Sequence, residues 1–168
     1  MPLSFVPGPD TLREYRDTLG CFGSGVTIVT IASPDGPMAM TVNSFSSVSL
    51  DPPLILWSLA KASRRYLPFL EAPHFAVHVL HNTQRNVALH FAAYGNGFDQ
   101  FDWAPNQDGV PILADRLALF ECQVTDRHDA GDHTIIVGHV VRAAREDGTG
   151  LAFDQRRYGQ FDPTPQQD

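Results

Sequence analysis

The chain has 168 residues, 43% of them hydrophobic and 18% charged, and a formal net charge of -7. That length and balance describe one packed domain burying about 70% of its unfolded surface, and they exclude a disordered chain. An acidic chain without a basic stripe excludes a nucleic-acid partner, and no apolar run approaches the ~20 residues of a membrane span, so no membrane association is expected.

Residues 1–9 are rich in proline and read as a flexible lead-in, residues 10–160 as a single domain, and residues 161–168 as a flexible tail. Asp10 or Thr11 can cap a first helix, in which Leu12, Tyr15, Leu19 and Phe22 form one apolar stripe ended by Gly23 and Gly25. Val26 to Ala32 is β-branched and predicts a strand, followed by a turn over Ser33 to Pro37 with Asp-Gly at its tip. Further strands are expected at 39–43, 46–50 and 54–59, the last two separated by Asp51-Pro52-Pro53. A short helix over 63–72, capped by Ser63, requires Pro68 to lie in the first turn or at a kink. A strand at 75–80 carries His74 and His78 on its polar side, and Asn82 or Thr83 can cap a helix reaching about Tyr94. Residues 95–111 read as irregular. Two long strands, 118–127 and 133–144, are joined by His-Asp-Ala-Gly-Asp, and a short strand at 151–153 completes the set. About seven strands and two or three short helices, connected mostly by turns, favour a closed antiparallel barrel over a parallel α/β sheet.

Several chemistries find no support. The Gly20, Gly23 and Gly25 cluster follows a helix and precedes a strand, the reverse of the dinucleotide-binding G-x-G-x-x-G arrangement. There is no C-x-x-C or G-x-S-x-G, and no metal site or serine nucleophile is expected. Cys21 and Cys122 have neither metal-ligand nor framework spacing and read as reduced core residues of a cytoplasmic protein; the N-terminus lacks a secretory pattern. The informative stretch is Met40 to Pro53. Its polar positions (Thr41, Asn43, Ser44, Ser46, Ser47, Ser49) are all short and alternate with Val42, Phe45 and Val48. Short hydroxyls and amides let backbone N–H groups approach a flat, hydrogen-bond-rich ligand and add donors of their own. A serine-rich surface hairpin would look the same.

That block, with Phe22 to Thr30 before it and Ala130 to Val140 downstream, resembles the flavin reductase family, the small NAD(P)H:flavin oxidoreductases that supply reduced flavin to two-component monooxygenases. The resemblance runs from about Leu12 to Gly159 and implies a mostly β fold with a few short helices, an antiparallel split β-barrel of Greek-key type. It implies FMN, or FAD in its place, with NADH or NADPH as co-substrate, a flavin-dependent monooxygenase as partner, and a homodimer. The isoalloxazine contacts carry over to Thr41, Val42, Asn43, Ser44, Ser46, Ser47 and Val48, and the ribityl contact to Ser58. Ser63 and Arg64, in Lys-Ala-Ser-Arg-Arg, are the expected phosphate contacts, helped if Ser63 opens a helix. Relatives carry arginine before the phenylalanine of the next helix; here Leu89 and His90 stand there, which leaves a second phosphate contact in doubt, while Phe91 matches and is expected to line the site. His133 is the expected nicotinamide-handling residue, with Asp132 and Asp129 to position it. Tyr158 matches a stacking position, and Arg156 or Arg157 can meet the dinucleotide's phosphates. Two other roles use the same hydroxyl-rich block: a flavoenzyme that retains its flavin and acts on an organic substrate, and a non-catalytic flavin-binding module.

Overall fold

The computed structural model describes residues 4–162. The expected lead-in and tail lie partly outside it, at 1–3 and 163–168. Three helices, α1 (Leu12–Leu19), α2 (Tyr66–Glu71) and α3 (Arg85–Ala93), accompany a main sheet built from β2 (Thr27–Ser33), β3 (Gly36–Val42), β4 (Ser46–Leu50), β5 (Pro53–Ala60), β6 (His74–Val79), β9 (Ala118–Ala130) and β10 (His133–Arg145). Its order is β3-β2-β6-β9-β10-β5-β4, with every neighbouring pair antiparallel. Separate ladders join β1 (Ser24–Gly25) to β11 (Leu151–Asp154) and β12 (Arg157–Gln160), and β7 (Trp103–Pro105) to β8 (Pro111–Leu113). The hairpin β2–β3 runs into β4–β5 through residues 43–45, and longer connections carry the chain from β5 to β6 and from β6 to the β9–β10 hairpin. The sheet is mostly β and antiparallel as expected, but it does not close: β3 and β4 remain as edges, so the barrel is split.

The two larger cores follow from the period-two alternation of strands. Val29 and Ile31 of β2 point into the barrel with Met40, Val42, Trp57, Leu59 and Phe75. Ile28 points to the opposite face, where it packs with Ala39, Leu80, Val87, Ala88 and Phe91 beneath α3. Most strands fall where periodicity places them.

The departures are at ends and loops. Neither Asn82 nor Thr83 caps α3, whose N-cap position is Gln84, and Ser63 lies two residues before the N-cap position of α2. The Ser63 hydroxyl instead accepts from the Arg65 backbone N–H at 3.2 Å, closing a turn. Pro68 is the third residue of α2, inside the first turn as its missing N–H demands. The irregular 95–111 stretch contains a short 3-10 turn at Phe98–Gln100 and strand β7. β12 was not anticipated, since Arg157–Gln160 has no alternation to announce it. The α1 stripe is not core: Leu12, Tyr15, Leu19 and Phe22 are all exposed, Phe22 at 84%. Cys21 is likewise exposed, whereas Cys122 is buried and burial pushes its thiol up to about 12.

His78 also moves from the expected polar side to the interior, where it is fully buried. Nδ1 lies 3.1 Å from the Ile28 carbonyl, and Nε2 accepts the Leu113 N–H at 3.2 Å. With Nε2 accepting, Nδ1 carries the proton and donates. The ring therefore ties β2 and β8 to β6. The short helices α2 and α3 end on arginines from elsewhere. Arg127 donates to the Leu70 and Ala72 carbonyls at 2.6 and 3.1 Å. Arg65 donates to the carbonyls of Ala39, Phe91, Tyr94 and Ala92 at 2.9, 2.7, 3.2 and 3.1 Å.

Candidate active site

The hydroxyl-rich segment spans the end of β3, a turn and the edge strand β4. Ser44 anchors the turn: its Oγ accepts the Ser58 backbone N–H at 2.9 Å. Thr41 is held from the other side, its hydroxyl donating to the Ala88 carbonyl of α3 at 2.7 Å. Val42 is buried in the barrel core, so only its backbone is available to a ligand. Asn43, Ser46, Ser47 and Val48 are exposed. A register shift between Ser47 and Ser49 leaves Val48 opposite no residue of β5. Among the described residues the outer edge of β4 has no partner strand, so backbone N–H and C=O groups face outward beside Ser46 and Ser47. An alternating row of donors and acceptors with no bulk in front of it fits the alternating polar edge of a flavin's pyrimidine ring.

The hairpin tip β9–β10 meets the loop after β5 at the same end of the sheet. His133 pairs with Ala60 of β5 across the ladder. Lys61 donates its N–H to the Asp132 carbonyl at 2.9 Å, and its ammonium reaches Asp129 Oδ1 at 2.6 Å and the Gly131 carbonyl at 2.7 Å. Gly131 takes φ +66°, the left-handed conformation of the two-residue turn. His133 Nδ1 lies 2.7 Å from Asp132 Oδ1, which fixes the ring and leaves Nε2 directed elsewhere. The His133 hydrogen bond, and then its charge, hold the Asp132 carboxyl below its usual range. Of the two expected positioning acids, Asp132 meets His133; Asp129 pairs with Lys61 instead.

Ser63 and Arg64 line a cleft of about 590 Å³ whose walls include Met38, Arg65 and Tyr94. Arg64 is exposed there. Arg65 serves α3, and α2 is too short and too far along the chain for its dipole to act at Ser63, so this cleft offers an anion a side-chain cation and loop amides. A second cleft of about 160 Å³ is lined by Val26, Thr41, Asn43, Ala92, Phe153 and Tyr158. Tyr158 packs on Phe153 with ring centroids 5.0 Å apart, and the Arg85 guanidinium lies 5.7 Å from its ring centre.

Phe91 does not line the site. It is 0% exposed and clustered with Phe98 and Phe101, so its ring supports α3 from below. Leu89 is exposed on α3, and His90 Nε2 lies 2.8 Å from the Asn96 carbonyl, fixing the loop after the helix. Phe153 beside Tyr158 was missed, because a strand of four residues gives too little alternation to show which face it offers.

The split antiparallel barrel carries a row of small polar side chains on one edge and a histidine hairpin at the same end of the sheet. The flavin reductase like domain matches residues 19–162, and the chain belongs to that family. It is 54% identical over 157 residues to the FMN reductase (NADH) SmoA of Agrobacterium fabrum, covering 94% of this chain and 90% of SmoA. It is 39% identical over 158 residues to the reductase component of a flavin-dependent trigonelline monooxygenase from Acinetobacter baylyi, covering 93% of this chain and about half (51%) of that relative. The crystallised NADH:FAD oxidoreductase SgcE6 of Streptomyces globisporus superposes with a TM-score of 0.89 at 35% identity, covering 100% of this chain and 98% of that one. SgcE6 has also been solved in complex with NAD and FAD fragments.

Proposed function

We propose that this chain is an NADH-dependent flavin reductase that transfers hydride to FMN and passes the reduced flavin to a flavin-dependent monooxygenase. The observation that carries this reading is the unpartnered β4 edge with its short donors, anchored through Ser44 to β5 and lying at one end of the sheet with the Asp132–His133 pair. The names of SmoA and of the trigonelline reductase component support the donor, the flavin and the partner class. FMN, when bound, supplies the hydride acceptor. The chain's own work is positional: hydride transfer needs stacking and distance rather than a general base. In this reading backbone groups of Asn43, Ser46 and Ser47, with the Asn43 amide and the serine hydroxyls, orient the ring, Ser63 and Arg64 meet its phosphate, and Tyr158 offers a stacking face. His133, its ring fixed by Asp132, directs Nε2 at the visiting nicotinamide. NADPH in place of NADH and FAD in place of FMN are accommodated by the same arrangement.

Anaerobic mixing of the protein with NADH and free FMN is expected to bleach the flavin absorbance far faster than the mixture without protein. No acceleration with NADH or NADPH would overturn the reading. His133→Ala is expected to raise the KM for NADH by about tenfold, the effect of one lost charge-assisted hydrogen bond, while flavin affinity holds. An unchanged KM would remove His133 from that role.

We also propose a homodimer. The α1 stripe with Phe22 lies exposed, as does Leu50 at the end of β4, 95% exposed. Apolar faces of this kind mark protein contacts. Light scattering of the purified protein is expected to give twice the chain mass; a monomer at micromolar concentration would refute this.

A further inference from the structure

We propose that Lys61 is a positioning residue for the reduction: it holds the β9–β10 turn so that His133 meets the nicotinamide in one fixed place. This rests on the reading of the chain as a nicotinamide-dependent reductase in which His133 handles the donor. The turn has no packing of its own. Residues 125–129, 131 and 132 are exposed, and no residue between Cys122 and Thr134 is buried. A hairpin end of this kind opens readily unless something outside it holds it. Beyond His133 the strand is secured: Thr134 is buried, and its hydroxyl lies 2.8 Å from the Tyr66 hydroxyl of α2. Ahead of His133, among the described residues, hydrogen bonds reach 129–132 from outside the hairpin only through Lys61. Its backbone N–H donates to the Asp132 carbonyl at 2.9 Å, and its ammonium donates to the Gly131 carbonyl at 2.7 Å and to Asp129 Oδ1 at 2.6 Å. One residue thus fixes three of the four positions that precede His133. One of the three, Asp132, is the acid 2.7 Å from His133 Nδ1.

The ion pair is poorly placed to stabilise the fold. The Lys61 and Asp129 side chains are 35% and 82% exposed, and a pair so open to water adds little to stability. What it fixes is where the turn lies. The phosphate loop downstream does not lean on the Lys61 side chain: the Ser63 N–H donates to the Ala60 carbonyl at 3.0 Å, and the Ser63 hydroxyl accepts the Arg65 N–H at 3.2 Å. Removing the ammonium therefore loosens the hairpin and leaves the flavin side in place. His133 in this reading touches the nicotinamide already in the bound ground state, so a loosened His133 shows in the KM for the donor rather than in kcat. An ammonium has three donors and two are spent on the hairpin, so the competing role for Lys61 is direct contact with the phosphates of the dinucleotide.

Steady-state assays with FMN, using NADH and reduced nicotinamide riboside (which lacks every phosphate), separate these roles in Lys61→Met, Lys61→Arg, His133→Ala and the double variant Lys61→Met/His133→Ala. Lys61→Met keeps the aliphatic stem and is expected to raise the KM for both donors about fivefold, less than the loss of His133 itself. Its kcat and its KM for FMN are expected to hold, with a melting temperature within about 2 °C of wild type. Lys61→Arg is expected to recover most of the loss. The double variant is expected to be no worse than His133→Ala alone, because Lys61 acts through His133. A rise confined to NADH makes Lys61 a phosphate contact and overturns the positioning role. So does an equal rise in the KM for FMN, an additive double variant, or an unmoved KM in Lys61→Met; in each case the reductase reading stands. A wild type that reduces no flavin with either donor removes both.

Discussion

Replacing His78 with phenylalanine is expected to lower stability by about 2–4 kcal/mol at pH 7, because the ring is filled but both of its hydrogen bonds are lost and the buried Leu113 N–H loses its acceptor. The same residue sets an acid sensitivity. Burial, outweighing the Ile28 hydrogen bond, lowers its pKa from 6.5 to about 4. The proton is therefore bound more readily by the unfolded chain. The stabilising contribution is whole above about pH 6.5 and is lost as pH falls toward 4. The loss amounts to about 3 kcal/mol by pH 4, from 1.36 kcal/mol per pH unit of displacement. Urea midpoints at pH 7 and pH 4.5 measure both effects together. The gap between wild type and His78→Phe is expected to narrow at the lower pH; a gap of constant size would show that His78 is not held neutral.

Arg65→Ala is expected to destabilise the protein by about 2–4 kcal/mol, the removal of a charged donor shared among four carbonyls. Three of those carbonyls belong to the last turn of α3 and its exit, and the fourth to Ala39 of β3. The variant therefore frees the helix end from the sheet as well as leaving orphan acceptors. Burial lowers the Arg65 pKa without discharging it. Arg65→Lys reaches fewer acceptors and is expected to recover part of the loss. Hydrogen exchange should report earlier opening of Phe91 to Tyr94 than of the β9–β10 ladder. A melting temperature within 1–2 °C of wild type would refute the assignment, because about 1 kcal/mol already shifts it by 2–4 °C in a domain near this size.

The strands of the main sheet were legible because alternation of apolar side chains is a local property. β2 announces itself through Thr27, Ile28, Val29, Thr30 and Ile31, and the structure places Ile28 and Val29 in different cores. The α1 stripe was legible as a stripe, but periodicity does not say what covers it, and among the described residues it stays exposed. The hydroxyl-rich block was visible as composition; which of its members are spent internally was not. Ser44, Thr41 and Ser46 bond the chain's own backbone, while the side chains of Asn43 and Ser47 make no hydrogen bond among the described residues. Phe91 shows the opposite error, since a matching residue type supports the site from inside the core rather than touching it.

By itself the sequence determined most element types, the antiparallel topology class and the hydroxyl-rich composition of Met40 to Pro53, all consequences of short-range pattern. Only the tertiary structure decided that His133 shares one end of the sheet with the loop after β5, that Arg65 and Arg127 end helices distant from them in sequence, and that His78 is buried and neutral. Hydrogen bonds and burial between residues far apart depend on which strands become neighbours, and that choice is made by the packing of the whole chain rather than by any window of it.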